Sequence, residues 1–188
     1  MAKARILIAG GGTGGHIIPA LAVARELEER HGAEILYVGA SRGLESRLVP
    51  AAGFKLHVMK VGQLKNVSLQ TQIRTLFDLP LGMASCVRVL LRFRPGAVLS
   101  VGGYASGPAA AAALLLGIPV MALEPNAMPG LANRIGVLLT RHVFTGQPGT
   151  KLGNATYIGI PIRREIAGLA RLALGDKARA HFGLRPDL

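Results

Sequence analysis

Short apolar runs alternate along this chain with stretches whose apolar positions recur every three or four residues. Residues 5–9 (RILIA), 33–38, 54–59, 97–101, 118–123 and 142–145 have the compact apolar character of strands. The first helical pattern covers 16–30, with Ile17, Leu21, Ala24 and Leu27 on one face and Arg25 and Glu29 as an i,i+4 pair on the other. Pro19 falls in its first turn and Gly32 just beyond its end. Further helices are predicted over 44–52, 109–116 and 129–139, with a longer one over 68–93 that Pro80 interrupts. Strands alternating with helices pair in parallel through crossovers, and strands this uniformly apolar are buried on both faces. The expected fold class is α/β, a Rossmann-like, doubly wound parallel sheet.

Composition narrows the field. Half of the 188 residues are apolar, which supports a core of ordinary domain size. The single cysteine, Cys86, excludes an internal disulfide and the zinc spacings built on paired cysteines, and it fits a reducing compartment. With no Trp, three Tyr and five Phe, a stacking platform for nucleic acid is not expected. The run Ile6 to Ala9 is shorter than the roughly 7–15 apolar residues of a signal peptide. The uncharged stretch from Pro95 to Leu123 is broken by eight Gly and Pro residues, unlike the roughly 20 continuous apolar residues of a membrane span. Lys and Arg number 22 against 10 Asp and Glu, a formal net charge of +12, so an anionic partner is expected.

Two glycine-rich turns follow strands and feed helices: Gly10 to Gly15, and Gly102-Gly103-Tyr104-Ala105-Ser106-Gly107 about 90 residues later. Such a turn aims free N–H groups and the positive end of a helix dipole at one point, where phosphate binds. In a doubly wound sheet both turns leave the carboxyl ends of strands and face one crevice, as a diphosphate or two anionic groups would require. Gly10, Gly12 and Gly15 also satisfy G-x-G-x-x-G. The acid that would hold a dinucleotide ribose at the end of the second strand is missing, since Glu34 stands at its start. Arg42 offers a contact to a 2′-phosphate, so an NADP-dependent dehydrogenase is one alternative. His16, beside the first turn, is placed to take a proton from an attacking hydroxyl or to orient it; Glu124 is the rival base, and Asn126 can hold a sugar or an acceptor hydroxyl. Between Val61 and Ser100, bases including Lys65, Arg74 and Arg88 interleave with apolar residues such as Phe77. That pattern predicts docking on an anionic membrane surface, and a non-catalytic docking module is a second alternative.

The motifs together name a family. Gly11-Gly12-Thr13-Gly14-Gly15-His16, Gly102 to Pro108, Glu124-Pro125-Asn126 and Gly159-Ile160-Pro161-Ile162-Arg163, in this order, closely resemble the MurG family of peptidoglycan glycosyltransferases over almost the whole chain. The resemblance implies the N-terminal half of a GT-B enzyme, with its active site in a cleft between two Rossmann-like domains. It implies transfer of N-acetylglucosamine, with inversion, from UDP-N-acetylglucosamine to lipid I (undecaprenyl-diphosphate-MurNAc-pentapeptide), peripherally on the cytoplasmic face of the bacterial membrane. It further implies His16 or Glu124 as the catalytic group. Gly102, Gly103, Tyr104 and Ser106 then face the acceptor, and Thr13, Gly14, Gly15, Asn126 and Arg163 complete the donor side; neither metal nor cofactor is implied. Residues 1–165 are expected to form the acceptor-binding domain and 166–188 a helical linker toward a C-terminal donor-binding domain, without which the half has little activity. The sequence departs from the family pattern at Leu123 (usually His), Pro125 (usually Gln) and Ile160 (usually Asn), so any role of the absent His and Asn is lost or relocated.

Overall fold

The structure, a computed structural model, describes residues 3–41, 43–59, 69–138, 140–169, 175–183 and 185; for 69–79, 169 and 176 it describes the backbone alone. Seven strands form one parallel sheet: β1 (Arg5–Ala9), β2 (Glu34–Ala40), β3 (Lys55–Met59), β4 (Ala97–Ser100), β5 (Val120–Glu124), β6 (His142–Thr145) and β7 (Thr156–Tyr157). Their order is β3-β2-β1-β4-β5-β6-β7, every neighbouring pair parallel. The chain therefore reverses its direction of winding between β1 and β4, and the turns after these two strands leave side by side.

Alternation along the strands shows why both faces are covered. On β1, Leu7 and Ala9 join one core cluster with Cys86 and Leu90 of helix α3 (Leu69–Phe93) and Ala109, Ala110, Ala112 and Ala113 of α4 (Ser106–Leu115). Ile8, between them, joins the other, with Ile17, Ala20 and Ala24 of α1 (Gly14–His31) and Val49 of α2 (Glu45–Ala51). The four buried alanines of α4 let that helix approach the sheet closely, and burial pushes the Cys86 thiol up to about 12. α1 ends as expected, with Gly32 in the left-handed conformation.

Three expectations need correction. α3 runs unbroken through Pro80, which is exposed; the proline removes only the N–H that would bond residue 76, and packing of the later turns against α4 holds the helix together. α4 begins at Ser106, three residues early, because Gly107 and Pro108 occupy its first turn, where a missing N–H is no loss. β5 runs on to Glu124, one residue past the predicted strand. Beyond β6 the chain adds β7, α5 having closed earlier at Leu131–Gly136, and then α6 (Arg164–Leu169) and α7 (Gly175–His181). Arg164 reaches back to Glu26 and Glu29 of α1, at 3.3 and 2.5 Å. Among the described residues no helix is long and apolar enough to cross a membrane.

The two glycine turns touch. The Gly11 N–H donates to the Gly102 carbonyl at 3.1 Å, and a Cβ on Gly103 (φ +86) would overlap the Gly11 carbonyl oxygen. Gly103→Ala should therefore destabilise the fold by about 2–4 kcal/mol. Gly107→Ala, which meets open space inside a helix, should be neutral or stabilising by about 0.5–1 kcal/mol. Urea unfolding of the two variants followed by circular dichroism checks the contrast.

Candidate active site at the switch point of the sheet

The amides of the first turn are not bare. Gly10 N–H donates to the Val38 carbonyl at 3.0 Å, Gly11 N–H to Gly102, and Gly12 N–H to Glu45 Oε2 at 2.8 Å. Glu45, in the first turn of α2, is 1 % exposed, and its other oxygen accepts the Ala40 N–H at 2.9 Å. The donors of this turn left without an acceptor among the described residues are Thr13, Gly14 and Gly15, where the N–H groups of α1 point out of the helix. In the second turn the N–H groups of Gly102, Gly103, Tyr104 and Ala105 likewise take no acceptor there. Two sets of donors thus flank the switch point, but the first begins at Thr13 rather than at Gly10.

His16 lies over the second turn. A Cβ on Gly102 would stand 3.0 Å from His16 Cε1 and 3.1 Å from Asn133 Nδ2, so these two side chains bracket that glycine. Among the described residues, His16 Nδ1 and Asn133 Oδ1 are buried without a hydrogen-bond partner, and Nε2 is the ring nitrogen left on the open side. A histidine acting as base through Nε2 carries its hydrogen on Nδ1. Tyr104 is half-buried in the same turn, whereas Ser106 is buried and donates its hydroxyl to the Gly103 carbonyl at 2.7 Å. Ser106 thereby ties the start of α4 to the second turn.

Glu124 closes the fifth strand. It is fully buried, and its oxygens accept four bonds, from Asn126 N–H (3.0 Å), Asn126 Nδ2 (2.9 Å), Gly130 N–H (3.0 Å) and Asn133 Nδ2 (2.9 Å). A carboxyl group so surrounded anchors the turn after β5. Through it Asn126 is aimed at α1, its Oδ1 lying 3.1 Å from where a Cβ on Gly15 would stand. Gly14, Gly15 and Asn126 then line an open groove of about 380 Å³, whose walls are Ile18, Pro19, Pro125, Ala127, Gln147 and Ile160. Thr13 is exposed at the rim, and Arg163 is exposed outside the lining, its carbonyl accepting the first N–H groups of α6. Two of the three departures, Pro125 and Ile160, face this groove, and Leu123 is buried in the core.

Sequence reasoning passed over Glu45, Asn133 and Gln147. Nothing local marks an asparagine in a short helix or a glutamine in a loop as a site residue. For Glu45 a signal existed, an acid shortly after the second strand among glycines 39 and 43, but it reads as a surface helix residue until the turns are seen to fold over it. Lys65 and Arg42 lie outside the described residues, as do the side chains of Arg74 and Phe77.

This fold and pair of turns define a Rossmann-type domain that presents amide donors and one histidine at its switch point. Residues 6–145 match the family described as the glycosyltransferase family 28 N-terminal domain, and the chain belongs to that family. It is 43% identical over 185 residues to a UDP-N-acetylglucosamine–N-acetylmuramyl-(pentapeptide) pyrophosphoryl-undecaprenol N-acetylglucosamine transferase of Thermobifida fusca, covering 98% of this chain and 49% of that protein. The protein of the same name from Moorella thermoacetica is 42% identical over 189 residues, covering 97% of this chain and 50% of the relative. The chain thus spans about half the length of the curated relatives it matches. The crystal structure of Acinetobacter baumannii MurG superposes with a TM-score of 0.71 at 27% identity, over 87% of this chain and 47% of that one. A UDP-GlcNAc 2-epimerase from Neisseria meningitidis shares the fold, with a TM-score of 0.61 at 16% identity over 99% of this chain and 54% of that one. Family membership displaces the dehydrogenase alternative, whose distinguishing residue was Arg42.

Glu124→Gln should destabilise the chain by about 1–3 kcal/mol, because the amide turns donors toward donors. A urea titration reads this loss; a midpoint equal to that of the wild type would refute the anchoring role.

Proposed function

We propose that this chain is the acceptor-binding half of an inverting glycosyltransferase that moves N-acetylglucosamine from UDP-N-acetylglucosamine onto lipid I. The observation that carries the reading is the meeting of two donor-bearing turns with His16 between them, in a chain of this family. The amides of Gly102, Gly103, Tyr104 and Ala105 bind the lipid diphosphate. His16 Nε2 deprotonates the acceptor hydroxyl or orients it as that oxygen attacks the anomeric carbon and the bond to UDP breaks, and Glu124 acts only by holding Asn126 and Asn133 in place. Thr13, Gly14, Gly15 and Asn126 face the donor across the cleft, and the groove beside them is where the second domain brings the nucleotide sugar. Arg163 belongs to the crossing between the two halves, with residues 1–165 as the acceptor domain and 166–188 as the linker. Because each half positions only one substrate, the isolated chain turns over little. In the two-domain enzyme, His16→Ala should lower kcat by about 10²–10⁴ with a smaller change in acceptor KM. A loss under about fivefold, with the melting temperature unchanged, excludes His16 as the base.

The second part of the proposal is peripheral attachment to an anionic membrane surface on the cytoplasmic side. Support comes from α3, where Leu81 (71 % exposed) and Leu91 (57 %) share an outward face with Arg88 and Arg92, and from Leu115 (75 %) at the end of the adjoining α4. Apolar side chains flanked by bases combine insertion with electrostatic attraction. Arg88→Glu with Arg92→Glu should weaken partition onto phosphatidylserine-containing vesicles about 30-fold or more, at about 1 kcal/mol per base lost. Sedimentation with vesicles measures it, and unchanged partition would move the docking face elsewhere.

A further inference from the structure

Glu45 is the buried acid that neither the motif pattern nor the proposed chemistry uses. It stands in α2, yet its carboxyl group lies inside the first glycine turn. Three glycines from three segments make room for it. A Cβ on Gly11 would overlap its carboxyl group, one on Gly39 would overlap its side-chain methylene, and one on Gly43 would overlap the carboxyl again. Its two oxygens accept one backbone N–H each, Gly12 at 2.8 Å from the turn and Ala40 at 2.9 Å from the end of β2. The Tyr37 hydroxyl, buried on β2 without a partner, is held well above its ordinary pKa by burial and by the nearby Glu45 charge.

We infer that Glu45 is a positioning residue, an internal anion that occupies the first glycine turn and fixes its shape so that only the donors from Thr13 onward face a ligand. The inference deepens the reading above and rests on it for the ligand. An anionic substrate cannot take the Gly12 N–H, because the protein's own carboxylate already holds it. The same carboxylate ties the turn to β2, while Gly11 ties it to the second turn, so the start of α1 is held from two sides. The charge itself works against an anionic ligand nearby. Two opposite outcomes therefore separate a charge effect from a positioning effect. If Glu45 acted through charge alone, Glu45→Gln would strengthen binding of a diphosphate. If it positions the turn, the same substitution weakens binding, because glutamine has one acceptor oxygen for two N–H donors and turns an amide NH₂ toward the other.

The experiment uses the 188-residue chain, with backbone amides assigned by NMR and a short-chain prenyl diphosphate as the probe. In the wild type, the amides of Gly12 and Ala40 should exchange with solvent at least tenfold more slowly than those of Gly14 and Gly15. In Glu45→Gln, at least one of the Gly12 and Ala40 amides should lose that protection and its proton resonance should move upfield. The strand amides of Ile8 and Leu99 should keep theirs, and probe affinity should fall at least fivefold. Tyr37→Phe, which removes a hydroxyl with no partner, should leave both amides and the affinity unchanged. Fast exchange of Gly12 in the wild type overturns the inference even if Glu45→Gln does not fold. Unaltered Gly12 and Ala40 amides in the variant, or affinity that is unchanged or rises once the turn has loosened, overturn it equally. Absence of probe binding to the wild type refutes the diphosphate reading instead, and the exchange comparison then decides the internal bond separately.

Discussion

Two buried carboxylates organise the edge of the sheet from which the site is built. Glu45 and Glu124 come from opposite sides of the switch point, and each binds two or more N–H donors at the carboxyl edge of the sheet. A carboxylate removed from water is tolerable only when its oxygens are bonded, and hydrogen bonds to a charged group contribute about 1.5–3 kcal/mol each. The bonds are also directional, so they hold turns in register in a way that apolar contact alone does not. Glu45 couples the turn after β1 to the end of β2, and Glu124 couples the turn after β5 to α5.

This arrangement divides the backbone donors at the switch point into two kinds. Those of Gly10, Gly11 and Gly12 are consumed internally, by Val38, Gly102 and Glu45. Those at the start of α1 and in the second turn remain open among the described residues. Glycine in the first turn is therefore not there chiefly to admit a ligand. At Gly11 it admits a carboxylate of the same chain, and at Gly103 it admits the backbone of the other turn. The site owes its shape to backbone packed against backbone, which also explains why His16 and Asn133 can close around Gly102 with so little space.

The surface beyond the site carries a different chemistry. The groove next to Gly15 is walled by Ile18, Pro19, Pro125 and Ile160, and the outward face of α3 pairs leucines with arginines. Apolar surface of this kind on a chain of net charge +12 fits a domain that works against other surfaces.

Local pattern determined a great deal. Strand periodicity placed six of the seven strands within a few residues, because each is short, apolar and bounded by glycine or proline; β7, two exposed residues long, carries no such pattern. The alternation of strand and helix determined the doubly wound class, and the glycine turns with His16 fall at the carboxyl edge of the sheet. The same reasoning misjudged Pro80, since a helix break is a local tendency that packing along the rest of α3 outweighs. Nor do residue types alone show that Ser106 and Glu124 are buried and bonded within their own turns. Glu124 bonds to residues 126, 130 and 133, close by in sequence, whereas Glu45 takes one donor from residue 40 nearby and another from residue 12 in a separate turn. Residue types and spacing thus set which elements form and where chemistry gathers. Only the folded chain decided which polar atoms remained free for it, because hydrogen bonds between distant segments exist only after the sheet has assembled.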